Sequence, residues 1–305
     1  MGRYILKRIA QSIIVLLGIT AVIFFVLNLT GDPLDFMLPP GTSEEVYAEY
    51  TEKLGLDDPL LVQYGRFLKN AVRGDFGESH FYRESALKVV LERMPATFTL
   101  AIAAFIIALA WSIPIGILSA YKRNSLLDTA ARVIAMLGQS LPTFWLGILL
   151  MLVFSVKLNW LPTYGYESFR HLILPAFALS TGTGAAILRL LRSSMIDVLG
   201  QEYISVARAK GVHNFFLVAK HAFKNSLSSV LTIMGLQLAS LMSGALVIET
   251  VFSWPGVGRL LQQSIVNRDF MVVEAGVCVI ASLFVFVNLA VDVLYAVINP
   301  RIKYS

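Results

Sequence analysis

Glu202-Tyr-Ile-Ser-Val-Ala207-Arg-Ala-Lys-Gly211 is a polar, basic stretch set between two long apolar runs, with His221 and Asn225 following it. Its residues favour a short helix on which Glu202, Val206 and Ala209 share one face at i, i+4 and i+7. Ala207 and Ala209 keep that helix thin, so another surface can approach closely. Gly211 is placed to end it through a left-handed cap. Arg208 and Lys210, near its C-terminus, complement the helix dipole. A second amphipathic stretch, Phe215 to Asn225, carries apolar Phe216, Val218, Ala219 and Phe223 and leads back into the next apolar run. A segment of this kind is suited to docking. Its charge would also permit a basic helix lying on anionic lipid. Against that, the charges do not form a lipid-facing fringe, and the small residues would waste contact area on a bilayer.

The rest of the chain says what surrounds this segment. Of 305 residues, 56% are hydrophobic and only 15% charged, and the mean hydropathy is +0.70. Soluble domains carry about 25% charged residues. Runs of roughly 20 apolar residues are long enough to cross a hydrocarbon core of about 30 Å as helix. Lipid offers no partner for backbone N–H and C=O groups, so spanning segments of this length are helices. A transmembrane β-barrel would show alternation in short segments instead. The fold class is therefore all-α integral membrane, with six transmembrane helices at 9–29, 96–119, 131–156, 172–192, 230–252 and 272–297. The first run is too long for a signal peptide and no small-residue cleavage site follows it, so it reads as an uncleaved anchor. The one cysteine, Cys278, excludes an intrachain disulfide and a thiolate metal cluster.

Charge sets the orientation. Arg3, Lys7 and Arg8 put the N-terminus in the cytoplasm. Lys122 and Arg123, then Arg189, Arg192, Arg208, Lys210, Lys220 and Lys224, and finally Arg301 and Lys303 fall on the same side if there are six spans. The segment 30–95 holds twelve acidic against seven basic residues and belongs outside. Alternation of charge by loop accounts for the basic balance without nucleic acid. Within 30–95, Ser43-Glu44-Glu45 reads as a helix start, Gly55 as its stop, and Pro59 as the start of a second helix to about Val72. Gly74-Asp-Phe-Gly77 is a turn signal. The domain plan is an anchor helix at 1–30, an external helical segment at 31–95, a five-span core at 96–298 containing the loop 193–229, and a cytoplasmic tail at 299–305. Pro95 opens span two, Pro114 lies inside it, and Pro142 interrupts span three. Proline there bends a helix, although prolines are common in membrane helices anyway.

The middles of the spans carry no Asp, Glu, Lys, Arg or His. Glu249 and Glu274 lie toward outer ends, and Arg132, Arg189, Arg192 and Asp292 toward inner ends. An ion-coupled pump needs an ionisable relay at depth. A secondary transporter shows broken helices around a midplane site and internal repeats, and neither is legible. There is no His-Glu-x-x-His and no phosphate loop. His80, His171, His213 and His221 form no ligand pair at i, i+4, and His80 and His171 read as surface residues. The chain is thus a conduit rather than an enzyme, with any nucleotide site on another chain.

The stretch 202–211 resembles the EAA loop of ABC importer permeases, in the Ala-Arg-Ala-Lys-Gly form of the peptide/nickel/glutathione group. Tyr203 stands where the name-giving motif has alanine, as is usual in that group. Arg192-Ser-Ser-Met-Ile-Asp-Val-Leu199 before the loop, Phe252-Ser-Trp-Pro-Gly-Val-Gly258-Arg-Leu-Leu261 after span five, Gly74-Asp-Phe-Gly77, and Asp292-Val-Leu-Tyr295 with Asn299-Pro-Arg-Ile302 are similar to the same group. The resemblance runs end to end. It implies a type I importer permease in the bacterial plasma (inner) membrane, multi-pass, with both termini cytoplasmic. It implies as partners a second homologous permease, two cytoplasmic ATP-binding subunits and an extracytoplasmic substrate-binding protein, in contact with membrane lipid and not nucleic acid. It implies no cofactor or metal on this chain, with ATP and Mg on the ATPases. The residues it marks for ATPase coupling are Glu202, Ala207, Arg208, Ala209, Lys210, Gly211, His221 and Asn225. Pro255, Gly256, Gly258 and Arg259 are candidates for an external turn near a gate or the binding protein. Peptide is the first expectation for cargo, with glutathione or a nickel chelate as alternatives. Outside this class stand a membrane scaffold or sensor recruiting a soluble partner, and an ion-coupled transporter.

Overall fold

A backbone in lipid must satisfy its own polar groups, and the apolar runs do so as helices. The computed structural model describes residues 2–30, 34 and 42–298. Among these residues β-pairing is confined to one isolated bridge, Glu78 with Ser85. In chain order the helices are α1 (Gly2–Thr30), α2 (Glu44–Leu54), α3 (Leu60–Ala71), α4 (Ala86–Tyr121), α5 (Leu126–Ser140), α6 (Thr143–Leu150), α7 (Phe169–Leu199), α8 (Glu202–Ala209), α9 (Asn214–Phe216), α10 (Lys224–Val251), α11 (Val257–Val266) and α12 (Phe270–Ile298). Wider π-helical turns extend α6 over Met151–Lys157 and α9 over Leu217–Phe223.

Four continuous helices are long and apolar enough to cross a membrane: Leu6–Leu29, Ala86–Tyr121, Phe169–Leu199 and Phe270–Val291. Two bent pairs pass the same test together. Leu126–Ser140 with Thr143–Lys157 turns by 106°, and Asn214–Leu227 with Val230–Met242 by 58°. Each pair taken as one span gives the six expected. Two details differ from the sequence reading. Pro95 does not open its helix: α4 starts at Ala86 and carries Pro95 within it. At 36 residues α4 is about 54 Å long, well beyond a hydrocarbon core, so its first turns extend past the membrane. The interruption at Pro142 is a full break rather than a bend. Leu141 is extended and Pro142 starts a new helix in another direction, so a broken span is present that the sequence did not reveal.

By contacts the chain groups into two units, Thr97–Trp254 with the chain from Val287, and Gly2–Ala96 with Pro255–Phe286. In the first unit α7 is the central helix, packed by α5, α6 and α10. Ile187, Leu191 and Met195 of α7 join Ala120, Ala222, Val230 and Met234 in one cluster. Leu188 and Ala185 join Ala131 and Ala135 of α5 in another. Gly184 lets Trp111 of α4 lie against the α7 backbone, where an added Cβ would stand 2.2 Å from the indole ring. Small residues that permit such approach are the usual currency of helix packing in lipid. Thr97 donates to the wholly buried Glu249 at 2.7 Å, tying α4 to the end of α10.

In the second unit, Phe24 and Phe25 of α1 meet Tyr64 and Phe67 of α3, with ring centroids 5.5–5.8 Å apart. The hydroxyls of Thr20 and Tyr64 lie 3.0 Å apart. The two helices expected within 31–95 form where their start and stop signals stand: α2 follows Ser43 and stops at left-handed Gly55, and α3 follows Pro59 and ends before Val72. Ser43 makes no side-chain cap bond, so acids at Glu44 and Glu45 are what favour that end. Further along, Ser79 donates to the buried Asp269, which closes the turn between α11 and α12.

Candidate functional site: the exposed segment between α7 and α10

The helix α8 forms over Glu202–Ala209, as its residues suggest, and ends in a complete Schellman motif. Gly211 N–H donates to Arg208 O at 3.0 Å and Val212 N–H to Ala207 O at 3.2 Å. Gly211 has φ +81°, a region in which any Cβ is strained, and open space surrounds it. The requirement for glycine is therefore conformational and not steric.

The face of α8 that packs on protein is Ile204, 1% exposed, with Ala207 partly buried beside it. Glu202, Val206, Ala209, Arg208 and Lys210 are exposed. Glu202, Arg208 and Lys210 have no side-chain partner among the described residues. The helix is thus anchored by one stripe and presents the Glu202–Val206–Ala209 stripe outward. Ile204 escaped the sequence reading because either stripe could have been the buried one.

The return leg is held from the other side. Leu217 and Ala222 are buried, and Val218 and Phe223 pack partly against the cluster of α7 and α10. Phe215 and Phe216 stay 67% and 56% exposed, edge to face at 5.7 Å. Phe215 borders a cavity of about 560 Å³ with Ile117, Tyr121 and Val218. The Asn225 amide donates to Tyr203 O–H at 3.1 Å and to His221 C=O at 2.7 Å, which joins α8 to the foot of α10. So Asn225 and His221 are brought together with the helix, as structural tethers. His213 accepts from Phe215 N–H at 3.3 Å and starts the return leg.

At the other end of α10 the chain turns through a second Schellman motif. Ser253 has φ +53°, and Trp254 N–H donates to Glu249 O at 2.8 Å. Trp254 is buried and edge to face with Tyr166 at 4.7 Å. The candidates Pro255 and Arg259 are partly buried and Gly256 and Gly258 fully so, at the start of α11. His171 is less of a surface residue than expected. Its ring is 15% exposed, bonds back to Ser168 at the start of α7, and lies 3.0 Å from Glu167. Bonds from the N–H groups of Glu167 and Tyr166 hold the Glu167 carboxyl below its ordinary range. The motif Asn299–Ile302 and the side chain of Asp292 lie outside the described residues.

One cluster was missed altogether. Asp128, 0% exposed, receives a two-pronged bond from Arg192 at 2.6 and 2.8 Å, a bond from Ser119 O–H at 2.6 Å and one from Asn124 N–H at 3.0 Å. This bolts α4, α5 and α7 together beneath the exposed segment. The available signal was Ser125-x-x-Asp128, a capping pattern at the head of an apolar run. Ser125 Oγ indeed accepts from Asp128 N–H at 3.2 Å. Nothing in the sequence tied Asp128 to Arg192.

Long apolar helices, two bent pairs among them, joined by a polar segment left open to solvent are the frame of a multi-pass membrane protein. Two solved structures share this fold. An amino acid ABC transporter structure with histidines matches 70% of this chain and 94% of its own, with a TM-score of 0.53 and 14% identity. The MetNI methionine ABC transporter in inward-facing form matches 69% and 96%, with a TM-score of 0.55 and 16% identity. In sequence, residues 112–304 match the family described as binding-protein-dependent transport system inner membrane component, and residues 1–101 match its N-terminal family. The chain is 40% identical to the oligopeptide transport system permease protein AppB of Bacillus subtilis, over all of both chains. It is 42% identical to the glutathione transport system permease protein GsiC of Salmonella paratyphi A, again over all of both. The chain belongs to this family: it is a multi-pass inner-membrane permease subunit of a type I ABC importer. Membership implies ATPase and binding-protein partners.

Proposed function

We propose that this chain forms half of the import pathway for short peptides, glutathione among them, and couples to ATPases through α8. The other half is a second homologous permease. Two cytoplasmic ATPases hold ATP and Mg, and an extracytoplasmic binding protein delivers cargo. The termini and the segment 202–225 face the cytoplasm, and 42–85 and 252–269 face outward. The single observation that carries the reading is the outward stripe of α8, whose polar side chains have no partner within the described residues. A helix seated on an ATPase moves the permease only if the ATPase engages it differently in its open and closed states. The tethers at Ile204 and Asn225 would then pass that movement to α7 and α10. The external turn at Pro255, Gly256, Gly258 and Arg259 contributes to the outer gate or the surface met by the binding protein. The peptide class is supported by the full-length similarity to the peptide and glutathione permeases.

The test is purification in gentle detergent followed by an ATPase assay and ATP-driven uptake in proteoliposomes. A second permease and ATPases should co-purify, and Gly211→Asp should abolish uptake while the chain still inserts. Wild-type uptake by that variant would remove the coupling role. Recovery of the chain with a partner that is not an ATPase would favour a scaffold.

A further inference from the structure

The face of α5 that the broken span leaves open carries an unusual set of residues. Arg132, Gln139 and Ser140 are exposed along one side of it. With Leu188, Arg189 and Arg192 of α7 they line a cavity of about 440 Å³. That is within the roughly 300–1,000 Å³ range of small-molecule sites. Arg132 and Gln139 are two helical turns apart, about 10 Å along the axis. The cavity therefore runs from the arginine end of α5 toward the break at Pro142. A solvent-exposed amide and hydroxyl this far along an apolar span are costly against lipid and tolerable against water.

The cavity is also electropositive. Asp128 neutralises one charge, and its fork is taken up by Arg192. Arg132 reaches Asp128 only at 3.9 Å, donates to the Thr129 hydroxyl at 3.1 Å, and is half exposed. Arg189 is exposed and has no partner among the described residues. Three guanidiniums thus line the cavity against one nearby carboxylate; Arg192 is committed to it, Arg132 is engaged only in part, and Arg189 is open. Guanidinium is suited to oxyanions because its fork matches two oxygens at once.

We propose that this cavity is an exit subsite of the pathway, in which Arg132 and Arg189 take the carboxylate of a departing peptide. The assignment rests on the importer reading above. Arg192 is the positioning residue: locked to Asp128, it holds the α5–α7 wall in place. Gln139 and Ser140 line the approach from the break.

The experiment uses the intact complex in phosphatidylcholine proteoliposomes, with Cys278→Ala and Gln139→Cys in this chain. Modification of the new thiol by a sulfonate-bearing and by a trimethylammonium-bearing methanethiosulfonate is read by mass spectrometry. Each rate is divided by that for a free thiol in solution. The anionic reagent should be favoured by about tenfold, as two nearby charges in a wet cleft would cause. Arg132→Gln with Arg189→Gln should erase the preference. Trialanine added from the ATPase side should slow modification, and trialanine amide should not. Absence of reaction with either reagent, or equal rates, overturns the proposal. Equal protection by the two peptides also overturns it. If phosphatidylglycerol vesicles protect the thiol without peptide, the bound oxyanion is a lipid phosphate and the cargo assignment falls. ATP-driven uptake by the unmodified complex tests the importer reading alone. Its failure would leave the thiol chemistry unexplained by transport but still measured.

Discussion

The core unit holds two polar assemblies at neighbouring ends of its helices, and they are opposite in kind. Around Asp128 the close bonds are all spent inward: a buried carboxylate, the Arg192 fork, a hydroxyl and an amide close on one another, with Arg132 only at the margin. Along α8 the charges are spent on nothing within the described residues, and the helix is pinned by one apolar stripe. A saturated cluster resists change, whereas an unsaturated one is ready for a partner. The first fixes the relative positions of three spans, and the second, on the function proposed above, gives a moving partner something to hold.

If that contrast is right, the two assemblies fail differently. The largest effect belongs to Asp128→Ala, which strands Arg192 in a mostly buried site. Removing one member of a buried pair costs about 3–5 kcal/mol. Detergent-solubilised protein should melt well below wild type, and yield should fall. Melting within a degree or two of wild type would mean that Arg192 finds water easily and that the bolt is dispensable. Next comes Gly184→Ala, which drives a methyl into the Trp111 ring. Overpacking of this kind costs about 1–3 kcal/mol. It should lower the melting temperature without changing ATPase stimulation per folded complex.

Gly211→Ala sharpens the comparison from the other side. A left-handed residue bearing a Cβ is strained by about 1–2 kcal/mol, but no neighbour is struck. The strain can be relieved by fraying α8 alone. Melting of the whole chain should stay put, while ATPase recovery in a pull-down should drop several-fold. A parallel loss of melting temperature would show that α8 belongs to the rigid core instead.

What could be read from sequence divides along the same line. Features governed by local rules were legible: the apolar spans, the caps at Gly55 and Gly211, the two helices α2 and α3, and the place, though not the size, of the interruption at Pro142. Features decided by meetings between distant residues were not. Arg192 finds Asp128 sixty-four positions away. Whether α8 buries Ile204 or Val206 depends on where the return leg Leu217–Phe223 lies, not on α8. The break at Pro142 was seen as a proline, but its 106° turn is fixed by packing of α5 and α6 on α7. For the candidate site, the resemblance pointed to a segment, and that segment is exposed in the structure; the bond between Asn225 and Tyr203 joins residues 22 positions apart and had no local signal.

That tether is the place of the smallest expected effect and the finest test. Tyr203→Phe removes the acceptor for Asn225 and leaves the ring. The bond is exposed, so water replaces it, and its loss is worth about 0.5 kcal/mol. Neither melting nor ATPase recovery should change measurably, because Ile204 still holds α8 and its outward stripe is untouched. Uptake should fall modestly for each ATP hydrolysed, since a looser α8 yields before α10 moves. An unchanged ratio of uptake to hydrolysis would assign transmission to Ile204 alone. A fall in ATPase recovery would place Tyr203 on the face that the partner grips.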